Sequence, residues 1–441
     1  MKNAFKHILI GFTLLTLTTS AYAAEVMGVD IHGFISQGYL STSDNNFVTG
    51  TEDGTFEFNE FGINFGKELT DKLHVGMQLF SRDLGDFGDN EVTLDWAYGD
   101  YRWRDWLGIR VGKIKAPHGL YNESRDVDMV RTWVFLPQSV YPEIERDAAL
   151  SLMGAGLYGN VDLGWFGGIS YQAMVGTQNI DADESLAQSL MGINTIDTSV
   201  TAEDIDVDKK YAFSLTYDTP LDGLRIGGTF QYAEMDLFST IDAGAGEGLW
   251  SFMPVPYGGY YDTELKSENY VASVEYTWEN LVLVAEYTWS NREVSIASTY
   301  TYPAGPVDTF FGPFDLTDFN GSGAPFDNKS EGWYVGATYR FTDWFELGGY
   351  YSEYYPDRDD RDGSAAAASA FAPLDPQYRA YNKDFCLTTR FDINEYWAIK
   401  LEGHQFEGVA LLPLAENVDA NNNHTFEEDW QMFAAKVTFS F

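Results

Sequence analysis

The sequence predicts an all-β fold, a 16-stranded antiparallel transmembrane β-barrel with short periplasmic turns, long extracellular loops and an inward-folded third loop. Three observations predict it. Apolar and polar residues alternate with a period of two along most of the chain, as strands with two unlike faces require. Connections between these segments alternate between very short and very long, and aromatic residues gather at the segment ends.

The chain begins with a stretch set apart from this pattern. Ile8 to Leu17 is apolar, follows Lys2 and Lys6, and precedes Ala21-Tyr22-Ala23. That order reads as a secretory signal peptide over 1–23, leaving 24–441 as the barrel. No apolar run of the 441 residues is long enough for a membrane-crossing helix. Membrane crossing, if it occurs, falls to strands.

Those strands are legible one by one. Leu73, Val75, Met77 and Leu79 make one apolar face, against His74, Gly76, Gln78 and Arg82 on the other. Leu224, Ile226, Gly228, Phe230 and Tyr232 oppose Arg225, Gly227, Thr229 and Gln231 in the same way. Further two-faced segments run over 270–278, 281–289, 333–341, 385–391, 397–403 and 433–441. Short connections are expected at Thr70 to Lys72, Arg104-Asp105, Gly159-Asn160, Thr219 to Gly223, Glu279-Asn280, Thr342-Asp343 and Asn394-Glu395. Long ones are expected over 41–54, 82–90, 116–147, 178–208, 240–263, 299–329, 356–380 and 410–426. Seven turns and eight loops join sixteen strands. An even strand number with long loops at one end is the pattern of a barrel closed in lipid, where no strand edge goes unpaired. Trp103, Trp106, Trp165, Trp278, Trp289, Trp344 and Trp397 fall at strand ends, where an amphipathic ring suits the membrane boundary. A soluble sandwich also alternates, but nothing in this sequence would cover its apolar outer faces.

Charge narrows the function. The formal net charge of −40 excludes nucleic acid as a partner, because phosphates call for a basic surface. Cys386 is the single cysteine, so no internal disulfide forms. Acid concentrates in the loops: 178–208 carries eight acidic residues and no Lys or Arg. Parity places Arg82, Arg225, Arg340, Arg390, Lys400 and Lys436 on the inner wall, with Lys210, against Glu60, Asp95, Glu275, Glu286, Glu402 and Glu428. Such a wall implies a hydrated interior, because isolated charges are costly away from water.

The connection 116–147 is the most informative segment. Arg125, Arg131 and Arg146 stand there among Glu123, Asp126, Asp128, Glu143, Glu145 and Asp147, and Trp133 and Phe135 make it more apolar than a free loop needs to be. Folded inward, it would form a constriction in which Lys113, Lys115, Arg125, Arg131, Glu123, Asp126 and Asp128 set which ions pass. Arg110 and Lys113 cannot both face inward without a bulge.

The run Arg110-Val-Gly-Lys-Ile-Lys-Ala-Pro-His-Gly-Leu120, followed by Glu123, Ser124 and Arg125, resembles the strand and third-loop entry of the phosphate-selective porin family of the O and P type. The resemblance extends over most of the chain through the strand count, the leader and the terminal Phe441. It implies a homotrimeric outer-membrane channel for small, often anionic solutes, with Lys113, Lys115 and Arg125 near the constriction and Arg131 beside them. The chain departs from that family in charge, with 27 basic against 67 acidic residues.

The expected function is therefore an outer-membrane porin of a Gram-negative bacterium, for passive diffusion of small hydrophilic solutes or ions, leaning to anions. A substrate-specific sugar channel and a cation-preferring general porin are the alternatives, the former drawing on the aromatics of 249–261 and 300–314. Outer-membrane lipid and lipopolysaccharide are the expected surroundings. An enzyme is disfavoured: no G-x-S-x-G or H-E-x-x-H motif is present, and Glu402 with His404 reads as a hydrated lumen pair. Asp357 to Gly363 resembles a calcium loop, but Arg358 and Arg361 compete for its carboxylates. No catalytic residue, metal site or cofactor is assigned.

Overall fold

The computed structural model describes residues 24–26, 28–85, 88–180, 199–243, 257–301, 306–309, 312–315, 319–322, 325–368, 376–413, 415–417 and 424–441. The leader, the middle of the acidic fourth loop and most of the aromatic segment 249–261 lie outside them.

Sixteen long strands form the sheet. They are β1 (Val29–Thr42), β2 (Asn59–Thr70), β3 (Leu73–Asp83), β4 (Thr93–Arg104), β5 (Leu107–Lys115), β6 (Ser151–Asp162), β7 (Gly168–Ile180) and β8 (Ser199–Asp218). There follow β9 (Leu224–Ala243), β10 (Tyr257–Trp278), β11 (Leu281–Thr301), β12 (Phe326–Thr342), β13 (Phe345–Tyr355), β14 (Asn382–Asp392), β15 (Trp397–Glu407) and β16 (Asp429–Ser440). Each pairs antiparallel with its sequence neighbour, and β1 pairs with β16 from Phe34 opposite Ser440 to Thr42 opposite Met432. The sheet therefore closes on itself, and every long strand has two partners. Short pieces at Ala24–Val26 and Phe319–Ser322 extend the same sheet.

Alternation sorts the side chains as the period-two reading predicts. Along β16, Trp430, Met432, Ala434, Lys436 and Thr438 are buried inward, while Gln431, Phe433 and Val437 are exposed. The outer surface is apolar, with Val111, Leu157, Leu215, Val274, Val335 and Leu387 all exposed. Trp103, Trp106, Trp165, Trp278 and Trp344 ring the end with the short turns. A second belt crosses β9 to β11, where Tyr270 lies 4.9 Å from Phe230 and stacks at 5.0 Å on Trp289. Trp289 thus belongs to the upper belt. Two aromatic rings around an apolar band are what a lipid bilayer selects.

The structure corrects two expectations about connections. The third short turn lies at 163–167, not at Gly159-Asn160, because β6 runs on to Asp162 before Gly164 and Gly167 turn the chain at positive φ. The fourth to sixth loops are also shorter than expected. β8 to β11 are 20 to 22 residues long and continue well past the upper aromatic belt. Their extensions carry Ile205, Val207, Met235, Leu237, Leu265 and Val294 in a buried inward cluster, with acid on the other face. Asp206, Asp236 and Glu264 are consecutive cross-strand neighbours there. The alternation was present, but its polar half is so acidic that it imitates a loop.

Candidate functional site

The connection from β5 to β6 spans 116–150, ending in the short helix Arg146–Leu150. It lies inside the barrel, as its bonds to inward-facing strand residues establish. Glu402 of β15 accepts the backbone N–H groups of Val134 (2.8 Å) and Phe135 (3.0 Å). Glu286 of β11 accepts from Tyr141 (2.5 Å), Tyr334 (2.7 Å), Ser273 (2.5 Å) and the Leu120 N–H (2.9 Å). Arg390 of β14 donates to the Arg131 carbonyl, and Thr132 donates to Glu346 of β13. Trp133 and Tyr141 join the inward Tyr334, Tyr350 and Cys386 in one apolar cluster. This packing accounts for the loop's aromatic and aliphatic content. Gly332 of β12 permits a close approach, because a Cβ there would lie 2.2 Å from the Ser139 carbonyl oxygen.

Charges on the loop are bound into hubs. Asp128 receives Arg131 (3.0 Å), Lys400 (3.2 Å), Lys436 (2.8 Å) and the Thr438 hydroxyl (2.9 Å), and Lys436 also contacts Glu60. Asp126 receives Arg146 (2.6 Å) and Lys115 (2.8 Å), with Asp95 of β4 within 3.7 Å of the same two cations. Arg125 donates to Glu143 (2.8 Å) and to the Tyr141 and Pro142 carbonyls, and Arg82 reaches Glu143 and Asp147. Burial alone would push the Asp126, Asp128, Glu143 and Asp147 carboxyls up. The neighbouring cations outweigh it and hold all four below the usual carboxylate range, Asp147 at about 2. Burial drives the His118 imidazole down to about 4, against its hydrogen bond to the Val140 carbonyl.

The remaining sequence-predicted residues fall as follows. Arg110 takes the inward parity of β5 and binds Asp100 at 2.7 Å between the rings of Tyr98 and Tyr158. Lys113 opposes Met153, whose side chain is exposed, and its ammonium binds the Leu94 carbonyl, so it joins none of the hubs. Glu123 is exposed and accepts from Gln172. Arg225 pairs with Glu275, and Arg340 with Glu346 and Asp392, toward the short-turn end. Arg390 adds an ion pair to Asp392. The bridging roles of Asp95, Arg146, Glu143 and Tyr141 escape sequence reading, since their partners are brought together only by the fold of the loop and its seating against distant strands. In the resembling calcium loop, Asp360 accepts the Ala365 and Ala366 N–H groups, and Arg361 pairs with Glu331.

Between the loop and the inner faces of β8 to β12 lies a cavity of about 210 Å³. Among the described residues, Arg125, Lys210, Arg292 and Arg379 line it against one carboxylate, Glu145. The Lys210 ammonium is held by oxygen dipoles, the carbonyls of Ala148 (2.6 Å) and Ser151 (3.0 Å) and the Gln178 side chain (2.8 Å).

Comparison with known proteins places this architecture. A family described as Gram-negative porin matches residues 11–374. An uncharacterized protein of Aquifex aeolicus (strain VF5) is 25% identical over 154 residues, which is 34% of this chain and only 32% of that relative. Among solved structures, an anion-selective porin from Comamonas acidovorans superposes with a TM-score of 0.50 at 12% identity, covering 94% of this chain and 99% of the other. The trimer form of OmpT, an outer membrane protein of Vibrio cholerae, gives 0.51 at 11% identity over 94% and 99%. At such identities the structures speak for the fold alone. The family match covers most of the chain, and with the closed sixteen-stranded barrel it makes this protein a member of the Gram-negative porin family.

Proposed function

We propose that the protein lets small hydrophilic solutes diffuse through a water-filled path that the loop 116–147 narrows, with a preference for anions. The observation that carries the preference is the charge of the cavity beside the loop, where, among the described residues, four Lys or Arg side chains line the wall against one carboxylate, Glu145, which pairs with Arg292. A narrow space with low-dielectric walls focuses such a field. The hub at Asp128 adds to it, as three cations share that carboxylate. Arg125 and Arg131 belong to this field as buried, paired charges and Lys115 as a partly buried one; Lys113 does not. Asp126 and Asp128 moderate it from within the hubs, and Glu123 from an exposed position.

The acidic extensions of β8 to β10 favour the opposite sign at the outer mouth. The two fields act in series, and the narrower one dominates. From the resemblance to the phosphate-selective type this reading keeps the anion preference and the homotrimer, for which the trimeric Vibrio cholerae structure is the precedent. It also keeps removal of 1–23 and a surround of lipid and lipopolysaccharide.

The test is the reversal potential in a planar bilayer under a potassium chloride gradient, for the wild type and for Lys210→Gln. Chloride preference that weakens in the variant supports the reading. Cation preference in both would leave the barrel standing and discard the anion assignment in favour of the cation-preferring general porin.

A further inference from the structure

Deep behind the loop, two adjacent strands bring together donors that ion permeation does not use. Cys386 of β14 and His404 of β15 are direct cross-strand partners on the inward face, and Glu402 lies one inward position away. The sulfur, an imidazole nitrogen and a carboxylate oxygen of these three lie within 4.8 Å of one another, and all three residues are buried. His404 Nε2 is 3.1 Å from Glu402 Oε1, and its Nδ1 is 2.9 and 3.0 Å from the two oxygens of buried Asp384.

We propose that Cys386, Glu402 and His404 form a binding site for a divalent transition-metal ion of the zinc class, with Asp384 as the residue that positions the imidazole. The donor set is sulfur, nitrogen and oxygen, the combination that selects zinc-like ions over calcium or magnesium. Metal–ligand bonds of about 2 Å meeting at near-tetrahedral angles put nitrogen and oxygen roughly 3.2 Å apart, close to the separation His404 and Glu402 already have. Asp384 supplies the outer shell: by accepting from Nδ1 it leaves Nε2 as the ligating atom, an arrangement that recurs behind metal-bound histidines.

Binding of a divalent ion by a thiol and an imidazole releases protons, which offsets the charge brought into a buried group. Glu402 also holds the bend of the loop through Val134 and Phe135. A bound ion would therefore clamp β14 and β15 behind that bend.

The test loads the folded, full-length barrel with cobalt(II) as probe and removes unbound metal by gel filtration. One retained cobalt per chain with a thiolate-to-cobalt charge-transfer band is the expected result. Cys386 is the chain's only cysteine, so the band assigns the ligand without any variant. Cys386→Ser should abolish the band, and His404→Gln should lower retention more than tenfold, with folding checked by heat-modifiable migration. Absence of the band in the wild type, or equal retention by folded Cys386→Ser, overturns the proposal.

Discussion

The Asp128 carboxylate of the third loop and the Lys436 ammonium of the last strand lie 2.8 Å apart, both buried. The contact joins the loop to the strand that closes the barrel, and Lys400 and Arg131 share the same carboxylate. Removing that charge leaves Arg131 and Lys400 without their carboxylate and Lys436 with Glu60 alone, all three cations buried. Asp128→Asn should destabilise the seated loop by about 3–5 kcal/mol, the usual cost of breaking a buried pair. The expected readout is faster protease cleavage within 122–145 in the folded barrel, with channel current noisier than wild type.

His118 sets a pH limit on the loop. Its imidazole is buried, and burial lowers it from 6.5 to about 4. A group that is neutral when folded and easier to protonate when released contributes its stability above the ordinary histidine value, and loses it as pH falls from about 6.5 toward 4. The loss is roughly 3 kcal/mol at most. Protease susceptibility of the loop should therefore rise across that window. His118→Gln, which offers an N–H to the Val140 carbonyl without titrating, should flatten the profile there.

At Gly332 the loop backbone comes close against the wall. A methyl group at that position would lie 2.2 Å from the Ser139 carbonyl oxygen, backbone that cannot rotate away. Gly332→Ala should cost about 1–3 kcal/mol by overpacking and displace the loop around Ser139. Gly228, which has a single ordinary contact, is the control: Gly228→Ala should leave loop protection unchanged.

Strand number, barrel closure and the apolar outer face were legible because each strand repeats one local rule with period two. The length of β8 to β11 was not, because Glu203, Asp204, Asp206 and Asp208 look like loop composition while Ile205 and Val207 keep the strand pattern between them. An extra residue at Asp208 shifts the register between Val207 and Lys209 and hides the alternation further. In the site, the segment 116–147 and the charges Lys115, Arg125, Asp126, Asp128 and Arg131 were readable as residues. Their partners were not. Asp126 meets Arg146, which also reaches Asp95, and Asp128 meets Lys400 and Lys436, only because closure and loop folding bring distant residues together. Parity alone could not choose between Arg110 and Lys113, and Asp100 with Tyr158 decides it for Arg110.

The loop inside the barrel is proposed to narrow the path. Single-channel conductance tests it most directly, comparing the wild type with a variant in which residues 121–144 are replaced by a short Gly-Ser linker. A severalfold rise in conductance, with weaker discrimination between chloride and potassium, is the predicted result. A folded variant with unchanged conductance and selectivity would contradict it.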